Sequence, residues 1–386
     1  MKGRVLPIII FSQFCCASIW FATNGILTDL AAYFNFGEDS LADLTSAVQF
    51  GFIAGTLFFA LFTISDRFSP SKVFFVSAIL GAALNLGTLI PLNNLLSLVG
   101  LRFLTGICLA GIYPVGMKIA ADYYDKNLGK SLGLLVGALV LGTAFPHLLN
   151  LLAASVNWQI VIILTSALAA IGGIIMLVFV PDGPFRRPSQ KTDLKAFFSV
   201  FKKKEFRSAA FGYFGHMWEL YTFWAFVPFI LSFYSESFQI DLNIPLWSFL
   251  IIAIGAPGCA LSGYFSSKYG PKKVASAALF LSLICCLVSP LIFQSSHFSV
   301  FIIFLLLWGV TVIVDSPLFS TLVAQNAPIE KKGTALTIVN SIGFAITIVS
   351  LQVLHSLQTS LSFQYIFLVL AIGPALGLIS LFQAEK

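Results

Sequence analysis

Long apolar runs, each about as long as a membrane helix, alternate with short polar connections along most of the chain. A helix needs about 20 residues to cross roughly 30 Å of hydrocarbon. A transmembrane β-barrel would instead show segments of about ten residues that alternate in polarity. These runs are longer and apolar on every side, so they indicate an all-α membrane protein. The pattern predicts about twelve transmembrane helices, numbered here as spans 1 to 12, at residues 7–27, 43–63, 73–91, 98–120, 131–153, 159–180, 208–233, 246–266, 275–294, 299–323, 334–356 and 364–383.

The composition supports a membrane protein and argues against a soluble one. Of the 386 residues, 58% are hydrophobic and 10% are charged, whereas soluble domains are about 25% charged. The mean hydropathy of +0.94 gives the same indication. Four of the cysteines form two adjacent pairs inside predicted helices, and no Cys or His spacing is typical of zinc. We therefore interpret the cysteines as small buried side chains and expect neither a metal nor a cofactor.

Lysine and arginine concentrate on one side of the predicted membrane. They fall before span 1, near the connections after spans 2, 4, 6, 8 and 10, and at the C-terminus, while the connections on the other side contain none. Cytoplasmic loops carry such an excess of basic residues. The net charge of +6 is therefore a topology signal and not a nucleic-acid footprint. It predicts a multi-pass protein of the plasma membrane (the inner membrane of a bacterium) with both termini in the cytoplasm.

The chain consists of two similar halves. A basic segment at 181–206 interrupts the apolar rhythm and predicts a cytoplasmic linker between a first half, 1–180, and a second half, 207–386. Within the linker, 194–204 is predicted to form a short amphipathic helix on the membrane surface. DRFSPSKV after span 2 matches SKYGPKKV after span 8, and NLGKSLGLLVGALVLG matches EKKGTALTIVNSIGFA at nearly the same offset. Duplicated six-helix units are typical of transporters whose site lies near the bilayer midplane, between the halves.

These motifs resemble the major facilitator superfamily over essentially the whole chain. An arginine followed by glycines in span 4 (RFLTGICLAGIYP) and a glycine-rich span 5 also match that family. The resemblance implies twelve helices in two pseudo-symmetric halves, with a central cavity lined by spans 1, 4, 7 and 10. It also implies a gating role for the loops after spans 2 and 8, where the alternative is a topology anchor. The matching loop residues are Asp66, Arg67, Lys72, Gly270, Lys272 and Lys273. The first copy departs from the pattern, because Phe62 and Ser69 stand where the family has glycines.

Three ionisable residues lie well inside spans: Arg102 in span 4, Glu219 in span 7 and Asp315 in span 10. Insertion scales assign a cost of roughly 2.5–3.5 kcal/mol to such a group at mid-helix, and such residues face a partner or an aqueous cavity. The three spans are among the four that the resemblance places at the cavity. We therefore predict that the three charges contribute to a functional site.

His216 and Glu219 are three residues apart, so they share one face of span 7. An imidazole beside a carboxylate can exchange a proton near neutral pH. Asp315 precedes Pro317, which is expected to break span 10 and free carbonyls that can bind a cation or solute. The alternatives are that His216 only packs, that either carboxylate forms a static ion pair, and that Arg102 snorkels or binds a carbonyl.

Neutral polar residues complete the predicted solute site. Mid-membrane amides need partners, so each of these residues either holds helices together or contacts the solute. With Arg102 they form the predicted solute-binding set, which comprises Gln13, Trp20, Asn24, Gln49, Thr143, His147, Asn340 and Ser341.

The sequence therefore predicts proton-coupled secondary active transport of a small organic solute by alternating access. Glu219, His216 and Asp315 are the predicted proton-coupling residues. Two alternatives within transport are a proton-driven efflux pump for drugs or other amphiphiles and a transporter of organic or inorganic anions. A membrane enzyme or receptor is disfavoured, because the sequence has no large soluble domain, no metal cluster and no G-x-S-x-G motif. Direct coupling to ATP is disfavoured because no phosphate-binding loop occurs. The expected partners are the solute, protons and the lipid bilayer, with no nucleic acid, and we expect a functional monomer.

Overall fold

The computed structural model describes residues 2–37, 40–124, 128–152, 157–186, 201–328 and 332–383. Within these ranges the chain forms helices and no strand. The surface helix predicted at 194–204 lies mostly outside the described residues. The side chain of the predicted gating residue Asp66 also lies outside what is described, although its backbone is helical.

The chain divides into two compact units, Met1–Lys191 and Thr192–Lys386. Nine α-helices lie within the described part of the first unit. In chain order they are α1 (Lys2–Ala17), α2 (Leu27–Phe34), α3 (Leu41–Leu61), α4 (Ile64–Arg67), α5 (Pro70–Leu86), α6 (Leu95–Ala110), α7 (Tyr113–Tyr123), α8 (Leu128–Leu152) and α9 (Gln159–Phe179). Short 3₁₀ helices at Asn24–Ile26 and Gly87–Leu89 precede α2 and follow α5.

Nine further α-helices lie within the described part of the second unit. They are α10 (Lys204–Phe238), α11 (Ile244–Ala253), α12 (Gly255–Tyr269), α13 (Pro271–Phe293), α14 (Phe298–Thr311), α15 (Ser316–Asn326), α16 (Lys332–Leu357), α17 (Phe363–Ile366) and α18 (Ile372–Gln383). A 3₁₀ helix at Phe367–Ala371 joins α17 to α18.

Every predicted span coincides with one helix or with consecutive helical pieces. Among the described residues, ten helical segments are long and apolar enough to cross a membrane. The other two are span 1, which is broken between α1 and α2, and span 7, which is the 35-residue α10 and carries His216 and Glu219. The prediction of an all-α membrane protein with about twelve spans is confirmed.

The same pairs of spans pack in each unit. In the first unit, span 1 packs on spans 5 and 6, span 2 on span 4, and span 3 on span 6. In the second unit, span 7 packs on spans 11 and 12, span 8 on span 10, and span 9 on span 12. These contacts correspond one to one when six is added to each span number. The duplication in the sequence is therefore matched by a duplicated packing arrangement within the units.

Spans 4 and 10 break at corresponding places. Span 4 is interrupted at Gly111–Ile112, between α6 and α7, and span 10 at Val312–Asp315, between α14 and α15. The second piece of each begins with a proline in its first turn, Pro114 in α7 and Pro317 in α15. Proline suits a first turn because the missing N–H would have no intrahelical partner there, and it cannot continue a preceding helix. The break predicted at Pro317 is present.

The segment that follows span 6 folds back onto the first unit. Asp182 accepts a hydrogen bond from Ser69 Oγ at 2.6 Å and pairs with Arg186 at 2.5 Å. Arg186 also donates to the carbonyl of Phe68 at 2.9 Å, and Tyr123 Oη donates to that of Pro181 at 2.5 Å. The beginning of the predicted linker is thus hydrogen-bonded to the loop after span 2 and to the end of span 4.

Candidate functional site

The rotation of α10 about its axis is set by close packing against α18. A Cβ on Gly215 would lie 2.3 Å from the carbonyl oxygen of Gly373, so the two helices touch backbone to backbone there. Trp218 points to the same side, and its indole N–H donates to the carbonyl of Val369 at 3.0 Å. His216 and Glu219 make their contacts with α13, α14 and the residue before α15. The large aromatic and the two polar side chains therefore leave α10 in different directions, and His216 and Glu219 share one face as their spacing predicts.

Three hydrogen-bond donors converge on one carboxylate oxygen of the buried Glu219. Ser282 Oγ lies 2.5 Å from Oε1, Trp308 Nε1 lies 2.5 Å from it, and Cys286 Sγ lies 3.3 Å from it. Ser282 and Cys286 are one turn apart on α13, whereas Trp308 belongs to α14. All three donors are uncharged when Cys286 is a thiol. Among the described residues, the carboxylate is therefore held by hydrogen bonds and not by a fixed counter-charge.

His216 pairs with Asp315 at the break in span 10. The imidazole Nδ1 lies 2.8 Å from Asp315 Oδ1, and both side chains are buried. His216 Nε2 and Asp315 Oδ2 have no hydrogen-bond partner among the described residues. The rings of Tyr213 and Phe319 flank the imidazole, with centroids 5.9 and 6.3 Å away. The pair can take up a proton, and it retains unused hydrogen-bonding capacity.

The two polar residues of α10 hold different pieces of span 10. Glu219 binds Trp308 in α14, before the break, and His216 binds Asp315, the last residue of the break. The order fits antiparallel helices, because the later residue on α10 meets the earlier residue on span 10. His216 and Glu219 thus both face span 10, and Asp315 of span 10 lies on that same side of α10.

The buried charges in the described part of the second unit are acidic. Glu219 and Asp315 are both at most 1% exposed, and no lysine or arginine is buried in the described part of this unit. Ionised groups in such surroundings need a partner or a bound proton. The single imidazole of His216 can neutralise one carboxylate at most.

Arg102 is buried in α6 and binds the backbone at the break in span 1. Its Nη1 donates to the carbonyl of Ile19 at 2.9 Å, and its Nη2 donates to the carbonyl of Trp20. Both acceptors lie between Ala17 and Asn24, where α1 has ended and the 3₁₀ helix before α2 has not begun. A helix end leaves carbonyls without intrahelical partners. The guanidinium therefore stabilises the non-helical backbone of span 1.

We expect Arg102→Met to reduce the thermal stability of the purified protein, because it removes both donors to the buried carbonyls of Ile19 and Trp20. A buried acceptor left without a partner costs about 2 kcal/mol. The melting temperature of Arg102→Lys, which can keep one of the two hydrogen bonds, should lie between those of the wild type and Arg102→Met. The exposed Arg67 supplies the control, since Arg67→Met removes an arginine at little cost. Equal melting temperatures for Arg102→Met and Arg67→Met would contradict this role.

The other candidates of the first unit are buried, and they differ in their bonding. Asn24 Nδ2 donates to Thr45 Oγ1 at 2.9 Å, and Thr143 Oγ1 donates to the carbonyl of Leu139 at 2.8 Å. Both amide atoms of Gln13 lack a hydrogen-bond partner among the described residues, as does His147 Nε2. Trp20 packs its ring on Phe52 at 4.9 Å, and Gln49 is fully buried.

The remaining two candidates lie on α16 in the second unit. Ser341 is nearly buried, and its Oγ has no hydrogen-bond partner among the described residues, whereas Asn340 is partly exposed. Among the described residues, no hydrogen bond or ion pair joins either residue to Glu219, so their role as solute ligands stays a prediction.

Sequence reasoning missed the residues that hold Glu219. The sequence pattern does not distinguish Ser282 or Trp308 from their neighbours, and it predicts Cys286 only as a small buried side chain. The thiol is indeed buried and free, and it also faces the carboxylate. A usable signal was the one-turn spacing of Ser282 and Cys286, which places two donors on one face of span 9.

Comparison with known families identifies the fold. The family model described as Major Facilitator Superfamily matches residues 9–351. The chain belongs to the major facilitator superfamily. The expectation drawn from the sequence motifs is confirmed, and at the level of the family the chain is a transporter and not an enzyme.

Solved structures of major facilitator transporters share this fold. The human organic anion transporter MFSD10 (TETRAN) has a TM-score of 0.77 at 16% identity, covering 98% of this chain and 99% of that one. A point mutant of the nucleoside transporter NupG has a TM-score of 0.73 at 16% identity, covering both chains completely. An uncharacterized transporter of Buchnera aphidicola subsp. Schizaphis graminum (strain Sg) is 24% identical over 182 residues, 47% of this chain and 43% of that protein.

The superfamily loops after spans 2 and 8 differ in how they are held. The first is bound to Asp182 and Arg186 through Ser69 and the Phe68 carbonyl, while the side chains of Arg67 and Lys72 are exposed. In the second, Gly270 adopts a φ of 86°, which favours glycine. Lys272 is partly exposed and Lys273 exposed. The gating role of these residues stays a prediction.

Proposed function

We propose that this superfamily member carries out proton-coupled transport of a small organic solute, with Glu219 as the main proton site. The observation that supports this most strongly is the environment of the carboxylate. Glu219 is buried, receives three hydrogen bonds on one oxygen and has no buried basic residue in the described part of its unit. A static ion pair would have such a residue beside it. A carboxylate without one can be neutralised reversibly by a proton.

The His216–Asp315 pair is proposed as the second element of the coupling site. Its His216 lies one turn from Glu219 on α10, and two polar atoms of the pair, His216 Nε2 and Asp315 Oδ2, have no hydrogen-bond partner among the described residues. An imidazole in this position can relay a proton, and the free carboxylate oxygen can attract a cationic group of the solute. A pH unit contributes about 1.4 kcal/mol and 100 mV about 2.3 kcal/mol per charge, enough together to drive accumulation or export.

The remaining features of the proposal follow the sequence. The distribution of lysine and arginine supports a plasma-membrane protein, the inner membrane in bacteria, with cytoplasmic termini. Alternating access by a monomer is the mode of transport we propose, with Arg102 and the neutral buried residues as further contributors to the solute path.

A second candidate is proton-driven efflux of cationic amphiphiles. It is favoured by the excess of buried acid in the second unit and by the aromatic rings beside it, those of Trp308, Phe223 and Phe319. Aromatic faces attract cations. The anion alternative has its support in Arg102 and in the function of MFSD10, but both terminal nitrogens of Arg102 already donate to carbonyls.

A ligand screen followed by flux measurements tests the proposal. Purified protein is screened against metabolites and cationic dyes by thermal shift, and the compounds that stabilise it are assayed in proteoliposomes. We expect flux of at least one compound to depend on an imposed pH gradient and to fall when a protonophore removes that gradient. A flux that is the same with and without the pH gradient would contradict proton coupling. A cationic dye as the best substrate would favour the efflux alternative.

A further inference from the structure

Trp308 contacts α10 in two independent ways. Its indole N–H donates to Glu219 Oε1 at 2.5 Å, and its ring stacks on Phe223 with centroids 4.5 Å apart and planes 28° apart. Phe223 lies one turn beyond Glu219 on the same helix. The stacking does not depend on charge, whereas the hydrogen bond does. Trp308 is therefore placed to respond to the charge on Glu219 while it stays against α10.

Protonation of Glu219 would weaken the bonds to Oε1. Hydrogen bonds to an ionised carboxylate are about twice as strong as those between neutral groups. Two of the three bonds come from α13 and one comes from α14, so neutralising the carboxylate loosens the hold of α10 on both helices. The hold of α10 on α14 consists of that one hydrogen bond and two stacked ring pairs, Phe223 on Trp308 and Tyr234 on Phe301, whose centroids lie 3.7 Å apart. α13 is tied to Glu219 by two hydrogen bonds and α14 by only one, so the polar attachment of α14 to Glu219 depends on Trp308 alone.

The break in span 10 separates α14 from a differently held neighbour. α14 ends at Thr311, α15 begins at Ser316, and the residues between them are not helical. Asp315, the last residue of the break and the N-cap of α15, is held by His216 and not by Glu219. A short non-helical joint between two separately held pieces can absorb a change in angle. Release of Trp308 can therefore move α14 without moving α15.

Other titratable groups near Glu219 come from a few elements. Cys285 and Cys286 face it from α13, and Asp315 faces it from the end of the break in span 10. His216 lies one turn away on α10. α11, α14 and α18 carry no titratable side chain, and α16 carries Lys332 and His355 at its ends. Trp308 thus contacts Glu219 from α14, a helix without a titratable side chain, while the titratable groups of the site lie on other elements.

We propose that Trp308 is a positioning residue that converts the protonation of Glu219 into movement of α14 about the break in span 10. The inference rests on the proposed function, in which Glu219 exchanges a proton. Ser282 and Cys286 also donate hydrogen bonds to the ionised carboxylate, but both lie on α13. The described residues show α13 as one uninterrupted helix. Among the three donors, Trp308 is the one attached to a span that is broken close to the site.

An infrared pH titration of the full-length protein in lipid nanodiscs tests the first step. The carbonyl band of a protonated carboxylic acid is followed against pH, and Glu219→Gln identifies the part that belongs to Glu219. In Trp308→Phe, which keeps an aromatic ring for Phe223, the midpoint should rise by about one pH unit, since the ionised form loses a donor. Trp218→Phe is the matched control, because it removes an indole bond to the Val369 carbonyl, and its midpoint should equal that of the wild type.

Ser282→Ala gives an independent check, because it removes a donor without changing a large side chain and should raise the midpoint in the same direction. Unchanged midpoints in Trp308→Phe and Ser282→Ala would overturn the inference while leaving the proposed function standing. A wild-type protein without any acid band that Glu219→Gln removes would instead overturn the proposed function, and this inference with it.

Hydrogen exchange, corrected for its intrinsic pH dependence, tests the second step. On acidification of the wild type, we expect α14 (Phe298–Thr311) to lose protection relative to α15 (Ser316–Asn326). In Trp308→Phe, α14 should be less protected at every pH, and the difference between high and low pH should disappear. If α14 and α15 change together in the wild type, the break does not act as the joint and the inference fails.

Discussion

Glu219→Gln is expected to abolish solute flux driven by a pH gradient while the protein still folds and binds its solute. Glutamine has nearly the same shape and can accept the bonds from Ser282 and Trp308, but it cannot exchange a proton. Accumulation above the equilibrium level should therefore be lost in proteoliposomes. Exchange of labelled for unlabelled solute, which needs no net proton movement, should continue at a rate within about tenfold of the wild type.

The exposed Glu236 provides the matched control, since it lies on the same helix and Glu236→Gln removes the same charge. It should leave pH-driven flux unchanged. Accumulation by Glu219→Gln at the wild-type level would show that the proton is carried elsewhere, and Asp315 would then be the first residue to test in the same way.

Gly106→Ala is expected to destabilise the first unit severely. A Cβ at position 106 would lie 2.1 Å from the carbonyl oxygen of Val48, and one at Gly51, on the facing helix, would lie 1.9 Å from that of Phe103. α3 and α6 thus pack backbone to backbone, as membrane helices with small residues at the interface do. Because the obstructing atom is backbone, we expect a loss of about 3 kcal/mol or more in the free energy of unfolding.

Gly100 lies on the same helix as Gly106, and a Cβ added there would meet nothing within 4 Å. Gly100→Ala should therefore be neutral or slightly stabilising, since alanine favours a helix over glycine by about 1 kcal/mol. The two variants are compared by thermal unfolding and by recovery of monodisperse protein. Similar melting temperatures for both would contradict the close packing of α3 and α6.

The positions of the helices follow from the sequence because a membrane imposes a strong and simple rule. An apolar run of about 20 residues has little alternative to a spanning helix. The break in span 10 is foreseeable for a local reason, Pro317. The break in span 1 has no proline near it, and Arg102, which binds the carbonyls of Ile19 and Trp20, is about 80 residues away in the chain. Such a break depends on tertiary structure.

The candidate site, like the fold, is predictable from the sequence only in part. The common direction of His216 and Glu219 follows from helical periodicity and is present in the structure. Their partners do not follow from it, since the pairing of Glu219 with Ser282, Cys286 and Trp308 requires the positions of three helices at once. Trp308 in particular lies in a uniformly apolar sequence, where nothing local separates a donor to a carboxylate from a packing residue. The sequence therefore indicates the charged residues but not the neutral ones that hold them.

Proton movement driven by the solute tests proton coupling most directly. Proteoliposomes are given a gradient of a solute identified by thermal shift, with equal pH on both sides and no membrane potential, and the internal pH is followed with a dye. We predict a pH change that appears only with the solute gradient, reverses when the gradient is reversed and is absent in Glu219→Gln. Movement of labelled solute by the wild-type protein without any change in pH would contradict proton-coupled transport by this chain.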